Sequence, residues 1–264
     1  MWWLALGWTL WLSPVTTAPE GMAIVGPGLL RLAYPAKGEA DVVPVEPFLL
    51  DRRPVSNADL LAFVRAEPRW QKGRIPSIYA DEGYLAHWAG PVDLGAPGDT
   101  NRGEQPATRV SWFAAKAYCA WRGARLPRER EWELAAAADE TRVDAAGDPA
   151  FQARILRWYS RPSSNVLPAA GDGPANAWGI SDMHGVVWEW VYDWSSTLVT
   201  GDNRDRGNVD KALFCGAGAM GARDVGDYAT FMRFAFRSSL GARFTTRNLG
   251  FRCARDPSST EGDR

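Results

Sequence analysis

Histidine is nearly missing from this 264-residue chain, which holds only His87 and His184. A metal centre built on three or more imidazoles is therefore excluded, and no sequence pattern supports a two-histidine site. Cysteine is also scarce. Cys119, Cys215 and Cys253 stand far apart, in no CxxC, CxxCH or zinc-type spacing. Surplus positive charge is lacking too: 30 Lys+Arg face 31 Asp+Glu, with no basic block. That composition gives a phosphate backbone nothing to bind, so no nucleic-acid partner is expected. The apolar run from Trp2 to Leu12 is too short to span a bilayer comfortably.

What the chain has in excess is tryptophan, 14 residues in all. Trp brings a large buried area and one N–H that needs a partner. A Trp-rich chain is either an irregular, loop-heavy fold pinned by aromatics or a ligand-binding surface, and the first reading is the simpler. Hydrophobic residues at 46% and charged residues at 23% describe an ordinary soluble balance. A chain of this length can bury a core without relying on staples.

The Trp2–Leu12 run is followed by Pro14 and the small residues Thr16, Thr17 and Ala18. This pattern suits a signal peptide over 1–18 cleaved after Ala18, although no Lys or Arg precedes the run. The alternative is a buried N-terminal segment or an uncleaved membrane anchor, the only membrane contact expected. Export to the periplasm or medium would place the cysteines where a disulfide persists. With three cysteines, spacing does not say which pair forms, and one thiol is left over.

Residues 19–40 read as an extended lead-in rich in Gly and Pro. A strand, a turn and a helix follow in VEPFLLDRRPVSNADLLAFV, with Ser56 as N-cap and Asp59 three residues on. Residues 65–107 are polar and punctuated by Gly and Pro. A second helix opens at Ser111 and stops at Gly123. A third lies in LPREREWELAAAADE, with Pro127 near its start. Beyond about residue 140, helical periodicity fades and short β-like runs appear: VVWEWVYDW, TFMRFAFR and GFRCAR. The tail over 257–264 is polar and expected to be disordered. These features together give one α+β domain with little regular structure in its second half.

Four segments, in order, resemble the formylglycine-generating-enzyme (sulfatase-modifying-factor) family. They are VEPFLLDRRPVSNADLLAFV at 45–64, PATRVSWFAAKAYCAWRGARLPREREWELAAAA at 106–138, NAWGISDMHGVVWEWVYDW at 176–194 and RNLGFRCARD at 247–256. The resemblance implies a single α+β domain over 41–256, related to C-type lectins, with Trp112, Trp132, Trp188 and Trp190 pinning the core. It also implies a disulfide between Cys119 and Cys253. Family members usually carry a helix-capping Thr where this chain has Arg128, a loss of about 1 kcal/mol that Glu129 and Glu131 in the first turn partly offset.

By the same resemblance, Asp182 and Glu189 would give carboxylates, and Gly185 and Val187 carbonyls, to a structural calcium ion. The competing reading pairs Glu189 with a nearby arginine and leaves no ion. The family's oxidase activity needs two cysteine thiolates that hold copper(I), a soft ion. Aligned on Arg237-Ser238 and on Gly216, those positions fall at Ala229 and about Gly221, so copper is not expected. Met220 and Met232 read as packing residues. Cys215 remains as a reactive thiol, an intermolecular disulfide partner or a small buried hydrophobe.

The resulting expectation is an exported binding or accessory protein of the cell envelope, with a protein, peptide or glycan partner. The alternative is an oxidase or maturation enzyme acting through Cys215, Arg233, Arg237, Ser238 and Asn248, with Arg247 beside the last.

Overall fold

The computed structural model describes residues 17–32, 35, 38–95, 102–162, 166–194 and 225–257. The extended lead-in at 19–40 supplies two strands of the domain, β1 (Met22–Val25) and β2 (Gly28–Arg31). Strand β3 (Val42–Val45) pairs antiparallel with β2. Strand β4 (Phe48–Asp51) lies between β1 and the short β7 (Ala254–Arg255), antiparallel to both. All four β4 residues are buried, as a central strand covered on both faces requires.

Three helices follow the sequence signals. Helix α1 (Asn57–Ala66) starts with the expected capping box, in which Asp59 accepts from the Ser56 amide at 3.0 Å and Ser56 Oγ accepts from the Asp59 amide at 3.2 Å. Ser111 caps α2 (Trp112–Trp121), and the chain leaves it through Gly123 at φ 65°. Helix α3 (Glu129–Ala136) has Arg128 at its N-cap. Two carboxylates satisfy neighbouring amides instead: Glu131 accepts from the Arg128 amide at 2.7 Å, and Asp193 accepts from the Glu129 amide at 2.7 Å.

The second half carries more helix than expected. Helix α4 (Pro149–Tyr159) begins at Asp148, whose carboxylate accepts from the amides of Ala150 and Phe151. The run TFMRFAFR is not a strand; it lies in helix α5 (Val225–Ser239). Its aromatic residues favour a strand locally, but Ala229, Arg233 and Arg237 recur every four residues and meet buried partners on α3 and α4. The last pairing is parallel, between β5 (Trp188–Trp190) and β6 (Leu249–Phe251).

The core is nearly continuous. One part gathers Leu60, Phe63, Tyr118, Leu126, Trp190 and Phe251; the other gathers Val25, Phe48, Leu50, Trp132, Ala135 and Ile180. Trp132 and Trp190 are buried with their N–H groups satisfied, by Glu189 and by the Val110 carbonyl, both at 2.8 Å. Trp112 and Trp188 are half-buried. Trp112 donates to the Val191 carbonyl, and Trp188 stacks between Tyr159 and Phe236 at 4.9 and 4.6 Å. Among the described residues, no helix is long and apolar enough to cross a membrane.

Candidate functional site

Two helices facing one another set up the site. Glu129 and Glu133 lie four residues apart on α3 and so project from one face, with Trp132 beside them. Arg233 and Arg237 stand at the same spacing on α5. Arg233 binds both oxygens of Glu133, the shortest bond running from Nη2 to Oε2 at 2.7 Å. Arg237 Nη1 bridges Glu133 at 2.7 Å and Glu129 at 3.0 Å. The Arg237 guanidinium also lies over the Trp132 ring, 4.7 Å from its centre. Arg233 completes its bonding with Tyr159 Oη from α4 at 3.1 Å and Thr230 Oγ1 at 2.9 Å.

All four charged side chains are buried. Burial alone would raise the Glu133 carboxyl, but the two guanidiniums outweigh it and hold Glu133 down at about 2. For Glu129 burial wins over the attraction of Arg237, and the charges of Glu133 and Asp193 add to it. Its carboxyl is raised.

The disulfide joins Cys119 on α2 to Cys253 beyond β6, across a sequence separation of 134. Next to it lies a second buried ion pair. Arg252 Nε and Nη2 each reach Glu189 at 2.8 Å, and Trp132 Nε1 donates to the same carboxylate at 2.8 Å. Arg252 also donates to the Asp51 and Ser181 carbonyls. The neighbouring Asp182 sits at φ 59° and accepts from the amides of Gly171 at 2.6 Å and Gly173 at 3.2 Å. A Cβ at residue 173 would fall 2.4 Å from an Asp182 carboxylate oxygen, so a side chain there would displace that carboxylate.

Comparison with known proteins decides the family. The model of the sulfatase-modifying factor enzyme 1-like domain matches residues 12–257. The chain belongs to that family. It is 33% identical over 273 residues to a formylglycine-generating enzyme of Streptomyces coelicolor, covering 87% of this chain and 85% of the relative. It is 30% identical over 251 residues to the inactive C-alpha-formylglycine-generating enzyme 2 of Mus musculus, covering 83% and 78%. Among solved structures, CarF shares the fold with a TM-score of 0.50 at 17% identity, over 91% of this chain and 99% of that one.

Within this family's architecture the expected site residues separate. Arg233 and Arg237 come together but are occupied by Glu129 and Glu133. The Ser238 hydroxyl donates back to the Phe234 carbonyl at 2.7 Å, inside its own helix. Asn248 is half-buried and gives its backbone carbonyl to the Trp188 amide at 2.8 Å. Ala229, where the resemblance led one copper-binding cysteine to be expected, is fully buried in an apolar contact with Ala145, Phe151 and Ile155. Cys215, Gly216, Met220 and Gly221 lie outside the described residues, as do most of the expected leader and tail. Met232 is half-buried on α5.

The residues do not fit copper(I). A dithiolate needs two free cysteines; the chain has three in all, and two are joined to each other. For calcium, the donor chemistry fits. Asp182 keeps a lone pair on each oxygen, and Glu189 Oε1 takes a single hydrogen bond from Arg252. A cation there would share Glu189 with the guanidinium. Among the described residues, no three His, Cys, Asp or Glu side chains converge on a common point, so at least half of the donor set would be backbone carbonyl or water.

Sequence reasoning missed Glu129 and Glu133 as partners of the two arginines. Their i,i+4 spacing, matched on α5, was the available signal. It also missed Tyr159, because α4 itself went unread.

Proposed function

We propose that this chain is a binding or accessory protein of the sulfatase-modifying-factor family, exported to the cell envelope, and not a formylglycine-generating oxidase. The observation that carries the reading is the thiol inventory. Once Cys119 and Cys253 are joined, Cys215 is the single thiol remaining in the sequence. Soft-metal oxidase chemistry requires two sulfur donors on one ion. Ala229 adds support, since its methyl group is enclosed by hydrocarbon at a position where the resemblance places a ligand. The mouse relative named as an inactive enzyme supports the same view by analogy.

Arg233 and Arg237 favour a structural role over a catalytic one, because both are buried in salt bridges to Glu129 and Glu133. Export is supported by the apolar run at Trp2–Leu12 and by a disulfide of the kind that persists in oxidising compartments. Calcium bound through Asp182, Gly185, Val187 and Glu189 would tie the 182–189 turn and stiffen the surface offered to a protein, peptide or glycan partner.

The test is an anaerobic copper(I) titration against a chromophoric chelator, followed by oxygen uptake with a cysteine-containing sulfatase peptide. The expected result is no tight site, no peptide-dependent oxygen consumption, and no change on Cys215→Ser. Stoichiometric thiolate binding coupled to oxygen consumption would restore the oxidase.

A further inference from the structure

A cleft of about 440 Å3 opens between α4, the turn after α3 and the 173–185 segment. This volume lies within the range of small-molecule sites, roughly 300–1,000 Å3. Its walls mix apolar and polar groups: Phe151, Ile155 and Trp158 come from α4, facing Ile180 and Met183. Several of its polar groups are already engaged. Glu140 is bound by Arg154 through both oxygens, and Asp139 holds the Arg142 guanidinium and the amides of Thr141 and Arg142.

Asp182, at one edge of the cleft, keeps its spare lone pairs, and three further lining groups remain open. His184 Nε2 lies 2.9 Å from the Ala136 carbonyl. A carbonyl only accepts, so Nε2 carries the ring hydrogen and Nδ1 is left as a bare lone pair. That nitrogen is buried and has no partner among the described residues. The ring cannot easily turn away, because it stands edge-on to Trp132 and Phe151, each 5.9 Å from centre to centre. Arg157 and Arg161, exposed on the C-terminal part of α4 and just beyond it, form no ion pair among the described residues. The site therefore offers an unsatisfied acceptor, two unpaired guanidiniums and an aromatic wall.

We propose that this cleft binds a small organic acid carrying an N–H or O–H donor, the chemistry shared by α-amino acids and peptide C-termini. Its carboxylate meets Arg157 and Arg161, which suit planar two-point recognition of that group. Its donor satisfies His184 Nδ1, and an apolar side chain packs on Phe151, Ile155 and Met183. The proposal deepens the binding reading by naming a ligand class. Its test is separate from the copper titration, so either can fail alone.

The full chain is titrated with L-phenylalanine, N-acetyl-L-phenylalanine, 3-phenylpropionate and L-phenylalaninamide, read by calorimetry and Trp fluorescence. Saturable binding is expected for at least one of the first two. 3-Phenylpropionate, which lacks the donor, is expected to bind about fivefold or more weakly, and the amide, which lacks the carboxylate, about tenfold or more weakly. A preference for the free amino acid identifies that source, and a preference for the acetylated form identifies a peptide end. Arg157→Glu with Arg161→Glu alters only exposed positions and is expected to weaken binding about tenfold or more. His184→Phe keeps the ring shape, removes the acceptor and is expected to weaken binding about fivefold. Should His184→Phe fail to fold, the donor-free ligand tests the same contact on the unaltered protein. Absence of saturable binding up to about 10 mM of either acid, or equal affinity in the double arginine variant, overturns the proposal.

Discussion

Arg252 and Glu189 form a two-bond ion pair in which neither side chain has any solvent exposure. The pair ties β5 to the chain just after β6, its parallel partner, and through the Trp132 N–H it reaches the second part of the core. Removing one member strands the other charge in a medium that cannot solvate it. Arg252→Ala is therefore expected to cost about 3–5 kcal/mol, measured by urea denaturation. A loss below about 1 kcal/mol would mean that water enters the site.

The Arg233–Glu133–Arg237 cluster makes a pH prediction whose sign follows from Glu133. Its folded-state value, about 2, lies below its ordinary 4.5. A depressed carboxyl contributes stability that is fully present above pH 4.5 and lost as the pH falls towards 2. The full swing is on the order of 3 kcal/mol. Glu129, raised by burial, acts in the opposite direction and offsets part of it. Denaturation curves of the native chain and of Glu133→Gln, taken from pH 6 to pH 2.5, should therefore differ in slope, with the variant flatter below pH 4.5. Parallel curves would remove Glu133 from the acid response.

The disulfide closes a loop with a sequence separation of 134. Restricting the unfolded chain over such a loop is worth about 5 kcal/mol in the chain-entropy model. Cys119→Ser with Cys253→Ser is expected to lose about 2–5 kcal/mol, and a reductant should lower the Tm of the native chain to a similar degree. A Tm insensitive to both would mean that packing around Tyr118 and Phe251 holds this junction unaided.

Particular residues explain how much of this was legible in advance. Ser56, Ser111 and Gly123 mark helix ends by local chemistry, and the helices begin and end there. Asp148-Pro149 is an equally local start signal, an N-cap followed by a proline in the first turn, yet α4 went unread. Helix α5 is a different matter. Its aromatic residues read as β, and only the buried contacts of Ala229, Arg233 and Arg237 with other helices settle its form. The same limit applies to the site. Motifs located Glu189 and Arg237, but their partners lie 63 and about 104 residues away, at distances no local pattern reports. The bond from the Glu129 amide to Asp193 at the start of α3 is of this kind too.

Calcium is the remaining structural question that a simple measurement decides. Asp182 and Glu189 are both buried; burial raises the Asp182 carboxyl, and the neighbouring Glu189 charge adds to that rise. Arg252 relieves this in part, and a divalent cation on the spare lone pairs would relieve the rest. A ligand present at about a hundred times its Kd adds about 2.7 kcal/mol, which for a chain of this size raises the Tm by roughly 5–10 °C. Calcium is expected to give such a rise, a calcium chelator to reverse it, and magnesium, which demands a smaller octahedral shell, to fall short. Asp182→Asn should weaken the response while leaving the fold intact, since its amide oxygen still accepts from Gly171 or Gly173 but carries no charge. If the native chain melts at the same temperature with calcium and with chelator, Glu189 serves Arg252 and Trp132 alone.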